Sequence, residues 1–324
     1  MHPVLALDIG GTKLAVAVVT PDGRTHGSVV EPTRREEGPA IILDRLFTMG
    51  DRAIALAAEL DGIDGVAAVG ISCGGPLDAA AGVLTNPLHL PGWVDVPIVA
   101  MATERFGVPA VLENDATAAA LGEHRFGAGR GTQTMLYLTV STGIGGGAVL
   151  NGALHRGASG NGGEYGHIMV RPGGRQCLCG RHGCLEAYAS GTFIAERAAE
   201  ALAAWEGASL LRELGTAAHD VSLAARQGDA LATALWNETT DVLGQAITDL
   251  VNVFEPELVV IGGGVTRSGD QLLDPIRTIV FRDAMRPAAA AVRVELAGLG
   301  DEVCVVGAGA LATDLLTSLT PGER

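Results

Sequence analysis

One short pattern occurs twice in this chain, and it restricts the possible folds more than any other feature. Residues 4–19 read Val-Leu-Ala-Leu-Asp-Ile-Gly-Gly-Thr-Lys-Leu-Ala-Val-Ala-Val-Val: an apolar strand, a glycine turn, then a second apolar strand. The pattern returns as a strand from Met135 to Val140, a turn Ser141-Thr142-Gly143-Ile144-Gly145-Gly146, and a strand over 147–150. The two turns lie about 130 residues apart, too long a period for a solenoid, so the chain is expected to be a duplication with two related halves. The spacing predicts helices over 40–60, 97–106 and 114–126, a mostly helical stretch over 192–254, and a helix over 270–280. Strands are expected over 65–72, 108–112, 258–261 and 303–306, with a terminal helix from about Ala308. Alternation of this kind predicts an α/β protein.

Neither turn is a Walker loop or a Rossmann fingerprint, because a strand rather than a helix follows each. A glycine-rich turn between two strands can still place several N–H groups around phosphate oxygens. In the first turn Gly10 and Gly11 let the backbone approach, Thr12 and Lys13 can donate to phosphate, and Asp8 can orient a hydrated Mg2+. An ordinary hairpin is the plainer reading of one such turn. Two of them, the second with Thr142, Gly143 and Gly145, can clamp one nucleotide. Gly262-Gly263-Gly264 follows a buried strand and can admit an adenine or ribose closely, or serve as a simple strand-to-helix turn.

Glu113-Asn114-Asp115-Ala116 lies where a strand ends and a helix begins. Helix capping is the ordinary use of Asn114 or Asp115 there. Phosphoryl transfer also needs a carboxylate to take the nucleophile's proton, and Asp115 is the best-placed candidate if the turns hold ATP. Glu164 and His167 sit in a glycine-flanked segment, and Glu186 follows the last of three clustered cysteines. Carboxylates, amides and imidazoles of this kind suit a polyhydroxylated ligand.

Three of the five cysteines, Cys177, Cys179 and Cys184, fall within eight residues. With no export signal visible, a reducing compartment and a cytoplasmic location are expected, and clustered thiols then read as metal ligands. Zinc takes four Cys or His ligands in a tetrahedron. The fourth is His167 or His182, and spacing does not decide between them. All three thiols come from one loop, which indicates a structural site. Cys73 and Cys304 lie in apolar strand contexts and read as core thiols.

The formal charge of −15 shows no basic face of the kind a nucleic-acid binder needs. Hydrophobic residues make up 48% and charged residues 18%, as in a compact folded protein. No apolar run is read as approaching the ~20 residues of a membrane span, so no membrane partner is expected.

In order along the chain, Asp8-Ile9-Gly10-Gly11-Thr12-Lys13, Glu113-Asn114-Asp115-Ala116, Thr142-Gly143-Ile144-Gly145-Gly146-Gly147, Glu164-x-Gly166-His167 and Cys177-x-Cys179-Gly180-x-x-Gly183-Cys184-x-Glu186 resemble the ROK family. The resemblance implies an actin-like (ribonuclease H-like) ATPase fold: a small α/β lobe over 1–113 joined by the helix at about 307–324, and a large lobe over 114–306. It implies ATP-dependent phosphorylation of a hexose, glucose at the 6-hydroxyl first, with N-acetylmannosamine or N-acetylglucosamine as the alternative acceptor. By resemblance Asp115 is the catalytic base. Asn114, Glu164, His167 and Glu186 contact the sugar, and the loop at Gly75 approaches it. The zinc ligands are His167, Cys177, Cys179 and Cys184, which favours His167 over His182. His167 would then face metal and sugar through its two ring nitrogens.

Two positions depart from the family pattern. Gly74 stands where many members have Pro, and Ser141 where Gly is commoner. A sugar-sensing ROK transcriptional regulator is the competing class. It would carry a helix-turn-helix segment ahead of the first turn, whereas seven residues precede Asp8 here and the chain is acidic. A homo-oligomer, dimer or tetramer, is expected. The alanine-rich helices of 192–250 can supply a face for it, though buried core is the more economical use of them.

Overall fold

The computed structural model describes residues 2–319. In chain order the strands are β1 (Val4–Ile9), β2 (Lys13–Val19), β3 (Thr25–Pro32), β4 (Val69–Cys73), β5 (Ala110–Asn114), β6 (Met135–Val140), β7 (Ile144–Leu150), β8 (Ala153–His155), β9 (Leu258–Gly262) and β10 (Arg293–Leu296). The helices are α1 (Pro39–Asp61), α2 (Ile98–Phe106), α3 (Asp115–Phe126), α4 (Glu186–Ala189), α5 (Gly191–Ala204), α6 (Leu211–Leu214), α7 (Ala218–Arg226), α8 (Ala230–Phe254), α9 (Asp270–Asp283), α10 (Arg286–Ala291) and α11 (Val303–Leu319).

The strands form two five-stranded sheets, ordered β3-β2-β1-β4-β5 and β10-β9-β6-β7-β8. In each sheet the strand before the glycine turn (β1 or β6) lies at the centre. It pairs antiparallel with the strand after the turn and parallel with a later strand, β4 or β9. The two sheets therefore repeat one topology, as the recurrence of the turn predicts.

The chain divides into two compact units. The first holds the residues up to Gly131, Leu154–Gly162, and the chain from Leu299 onward. The second holds Thr132–Ala153 and Gly163–Gly298. The expected boundary at 113/114 would separate β5 from α3, but both pack in the first unit.

In the first unit β1 is buried along its whole length, because helices cover both faces. Leu5, Leu7 and Ile9 point into a cluster with Ile42, Leu46 and Met49 of α1. The alternate residues Val4 and Ala6 meet Ala308 and Ala312 of α11. Small residues on that second face let α11 come close. A Cβ at Gly307 would collide with the Ala118 carbonyl of α3, and one at Gly70 of β4 with the Ala308 carbonyl. In the second unit Leu136, Leu138 and Val140 of β6 share a core with Leu243, Ile247 and Leu250 of α8.

Two expectations are corrected here. Residues 303–306 (Val-Cys-Val-Val) are the first turn of α11, not a strand, because burial of α11 against β1, β4 and α3 outweighs the strand preference of the valines. Cys304 is accordingly a helical residue. One helix, Gly300–Leu319, is also long and apolar enough to cross a membrane by length and composition, with a mean hydropathy of 1.4. Half of that window is buried against the first unit's own core.

Candidate active site

In the first unit, β1 delivers Asp8 to its carboxyl end beside Ser72 of β4. The Ser72 hydroxyl donates to Asp8 Oδ1 at 2.7 Å, and Asp8 is only 7% exposed. Burial raises its pKa to about 6. The Ser72 hydrogen bond opposes the rise, the nearby Asp115 charge adds to it, and Lys13 works against it. The turn that follows is held by Gly10 N donating to the Lys13 carbonyl at 3.0 Å and by the Thr33 hydroxyl donating to the Gly10 carbonyl at 2.6 Å. Thr12 and Lys13 are exposed beyond it.

The same sheet edge delivers Asn114 and Asp115 at the junction of β5 and α3. Asn114 is the cap: its Oδ1 accepts from Ala116 N at 3.0 Å and Thr117 N at 3.2 Å. Capping thus falls to Asn114, and Asp115 remains available for chemistry, with Oδ1 accepting from Ala116 N at 2.8 Å. Burial raises the pKa of Asp115, against the Ala116 N–H and the charge of His89. Beneath this junction the fully buried Glu113 accepts from Arg156 Nε at 2.6 Å and from Asn114 N at 3.1 Å. Gly75 lies beside Asn114: a Cβ there would be 3.9 Å from Asn114 Nδ2.

Sequence reasoning missed His89. Its ring fills the space a side chain at Gly74 would need, and a Cβ at Gly11 would come within 3.0 Å of its Cβ. The departure at Gly74 therefore has a physical account, since a proline would strike this imidazole. The only sequence signal was a histidine in a proline-rich turn, which has no local pattern to single it out.

In the second unit, the β6–β7 turn closes with Ser141 N donating to the Gly143 carbonyl at 2.9 Å. Thr142 is exposed, and Gly145 lies within β7 opposite Thr139. Gly262 flanks Thr139 from the other side, at the end of β9. A cavity of about 380 Å³ adjoins the turn, lined by Ser141, Thr142, Gly191, Thr192, Trp236 and Gly264 among others. Of the glycines expected near a nucleotide at the end of β9, Gly264 lines this cavity, while Gly262 and Gly263 precede it in the chain.

The metal candidates also lie in this unit. One atom each of His167, Cys177, Cys179 and Cys184 falls within 4.8 Å of the others. Cys179 Sγ and Cys184 Sγ are 3.7 Å apart, and Cys177 Sγ lies 3.8 Å from His167 Nδ1. Tetrahedral bonds of about 2.0–2.3 Å hold ligand atoms roughly 3.3–3.8 Å apart, so these two pairs stand at the spacing such an ion needs, and three thiols with one imidazole are the donor types it takes. His182 is exposed and not in the group. His167 turns its other nitrogen, Nε2, toward Glu164 at 3.8 Å. Glu186 opens α4, and its Oε2 accepts from Ile144 N at 2.9 Å.

Comparison with known proteins gives the following. The ROK family model matches residues 4–315. A glucokinase of Thermotoga maritima is 34% identical over 312 residues, 95% of this chain and 96% of that protein. An N-acetylmannosamine kinase of Shigella boydii is 34% identical over 308 residues, 95% and 97% of the two chains. The crystal structure of a ROK family glucokinase from Streptomyces griseus, in complex with glucose and AMPPNP, is 35% identical. It superposes with a TM-score of 0.81 and covers 97% of this chain and 100% of that one. Such ROK kinases have the actin-like fold, in agreement with the duplicated sheets.

Proposed function

The chain belongs to the ROK family, and from that premise we propose that it is an ATP-dependent sugar kinase acting on the 6-hydroxyl of glucose. The observation that carries the reading is Asp115. Its carboxylate sits on the first turn of α3, where Asn114 accepts the Thr117 amide as the cap, and burial raises its pKa above the ordinary carboxylate value, which makes it the more basic. In the proposed step the sugar's 6-oxygen attacks the γ-phosphorus, its proton passes to the Asp115 carboxylate, the bond from the γ-phosphorus to the bridging oxygen breaks, and ADP leaves.

The first unit supplies Asn114 and the loop at Gly75 for the sugar. Gly10, Gly11, Thr12 and Lys13 serve the phosphates. The second unit supplies Glu164, His167 and Glu186 for the sugar, Thr142, Gly143 and Gly145 for phosphate, and, for the base, the cavity lined by Gly264, which Gly262 and Gly263 precede in the chain. Asp8 fits a Mg2+ role. It is a buried carboxylate with a raised pKa and one oxygen held by Ser72, and a cation would stabilise its charged form. When bound, Mg2+ neutralises charge on the β- and γ-phosphate oxygens. His167, Cys177, Cys179 and Cys184 would hold a structural Zn2+, whose contribution is to fix the loop. A cytoplasmic enzyme assembled as a homo-oligomer is part of the same reading.

The test is ADP release from ATP across a panel of hexoses and N-acetylhexosamines. Glucose is expected to give the highest kcat/KM. The N-acetylmannosamine kinase relative makes that amino sugar the second reading, and a preference for it would replace glucose. No sugar-dependent ADP release from any acceptor would sink the kinase reading.

A further inference from the structure

Three hydrogen bonds tie the β6–β7 turn to the chain just beyond the last clustered cysteine. Ile144 N donates to Glu186 Oε2 at 2.9 Å, Gly191 N to the Ser141 carbonyl at 2.7 Å, and Thr192 N to the Thr142 carbonyl at 3.4 Å. Glu186 follows Cys184 by two residues, and its Oε1 lies 3.8 Å from Cys177 Sγ. One carboxylate therefore touches the cysteine loop with one oxygen and the turn with the other. The fit is tight, because a Cβ at Gly143 would stand 2.8 Å from Glu186 Oε2. Ser141, Thr142, Gly191 and Thr192, the residues joined by the second and third of these bonds, also line the cavity of about 380 Å³.

Glu186 begins a helix of four residues, too short to hold its place by its own hydrogen bonds. Its far end is pinned by the buried Arg197, whose Nη1 donates to the Tyr188 carbonyl at 2.5 Å and to the Thr239 hydroxyl at 3.1 Å. Its near end is continuous with Cys184, a member of the metal-fitting cluster. An ion that gathers the three thiols and His167 also fixes where the Glu186 carboxylate stands.

We infer that Glu186 is a positioning residue for the nucleotide, linking the His167/Cys177/Cys179/Cys184 cluster to the β6–β7 turn, so that loading the cluster with Zn2+ tightens ATP binding as well as sugar binding. The inference rests on the reading that this turn and cavity take ATP.

The test measures AMPPNP affinity calorimetrically on the full chain, without sugar. Stripping Zn2+ with a chelator weakens binding about tenfold, a typical effect of losing support around a metal site. Glu186→Ala weakens it by a similar factor. Stripping Zn2+ from that variant adds less than about twofold, because both act through one link. Glu186→Gln keeps an oxygen to accept from Ile144 and stays within about threefold of the parent chain.

Unchanged affinity on stripping, or two losses that multiply to about a hundredfold, overturns the inference. Should circular dichroism show that the stripped protein has lost its fold, the loaded alanine and glutamine variants decide, and equal affinities for AMPPNP overturn it. Failure of the loaded parent chain to bind AMPPNP overturns the nucleotide reading itself. Tight binding indifferent to Zn2+ overturns only the link.

Discussion

The two glycine turns occupy the same place in two copies of one topology, yet they are equipped in different ways. The first carries its own charges. Asp8 ends its leading strand, buried against Ser72, and Lys13, the chain's only lysine, opens the strand that follows. The second has neither: Thr139 stands at the place matching Asp8, and Ile144 opens β7. Its carboxylate comes from outside, from Glu186 on α4, by way of the cysteine loop. A duplicated scaffold thus holds one turn whose chemistry is built into its strands and one whose support depends on a segment some 40 residues further along the chain. The first should respond to pH, and the second to metal.

The largest expected effect belongs to the first unit. Asp115→Asn should lower kcat by about 10³–10⁴-fold while sugar and AMPPNP affinities stay within several-fold, as measured by ADP release and calorimetry. Turnover within a few-fold of the parent chain would remove the chemistry from this unit and end the contrast. Next comes the pH response. The folded-state pKa of Asp8 lies above its ordinary 3.8, at about 6, so the proton is favoured in the folded protein. The stability this contributes is complete below about pH 4 and is lost as pH rises through 6. Asp8→Asn should therefore stabilise the protein at pH 7, by up to about 3 kcal/mol at roughly 1.4 kcal/mol per pH unit, with the gain vanishing below pH 4. Thr139→Val, at the matching place, should show no such pH-dependent gain in denaturant titrations. Activity has the opposite sense: kcat/KM should fall as pH drops through 6, because Asp8 must be charged to serve a cation, and the raised pKa of Asp115 acts in the same direction. The smallest effect sharpens the contrast between the turns. Gly143→Ala presses at 2.8 Å on Glu186 Oε2, the atom that accepts from Ile144 N, and should weaken AMPPNP binding about tenfold, whereas Gly11→Ala meets the Cβ and ring of His89 at 3.0 Å and beyond, displaces no hydrogen-bonding atom, and should cost about threefold or less. Equal losses would show that both turns are supported alike.

The duplication was legible because it is written in local patterns, apolar runs broken by glycine, and β6 spans the residues expected. β3 and β10 were not foreseen. Thr-His-Gly-Ser-Val-Val-Glu-Pro lacks an apolar face of its own and is a strand because β2 offers it hydrogen bonds. Arg293–Leu296 depends on β9 in the same way. Around the site, the residue types were readable but their partners were not. Asn114 and Asp115 are interchangeable as caps by sequence; in the fold they share the Ala116 amide, and the Thr117 amide goes to Asn114. His167 and His182 are equal by spacing; the family resemblance favours His167, and the fold brings it to the thiols. Glu186 was expected to serve the sugar, and its bond to Ile144 is a contact across 42 residues that no local pattern encodes.

The close passage of α11 across α3 and β4 has a consequence for how the molecule is made. On a ribosome the residues of the second unit are all synthesised before α11 emerges. The first unit, begun earliest, is completed last. Until residues 303–319 arrive, the face of β1 and β4 that they cover has no partner, and the helix bearing Asp115 lacks the neighbour that packs at Ala118. Nascent chains stalled before residue 303 should therefore present a protease-resistant second unit beside a first unit still open to cleavage.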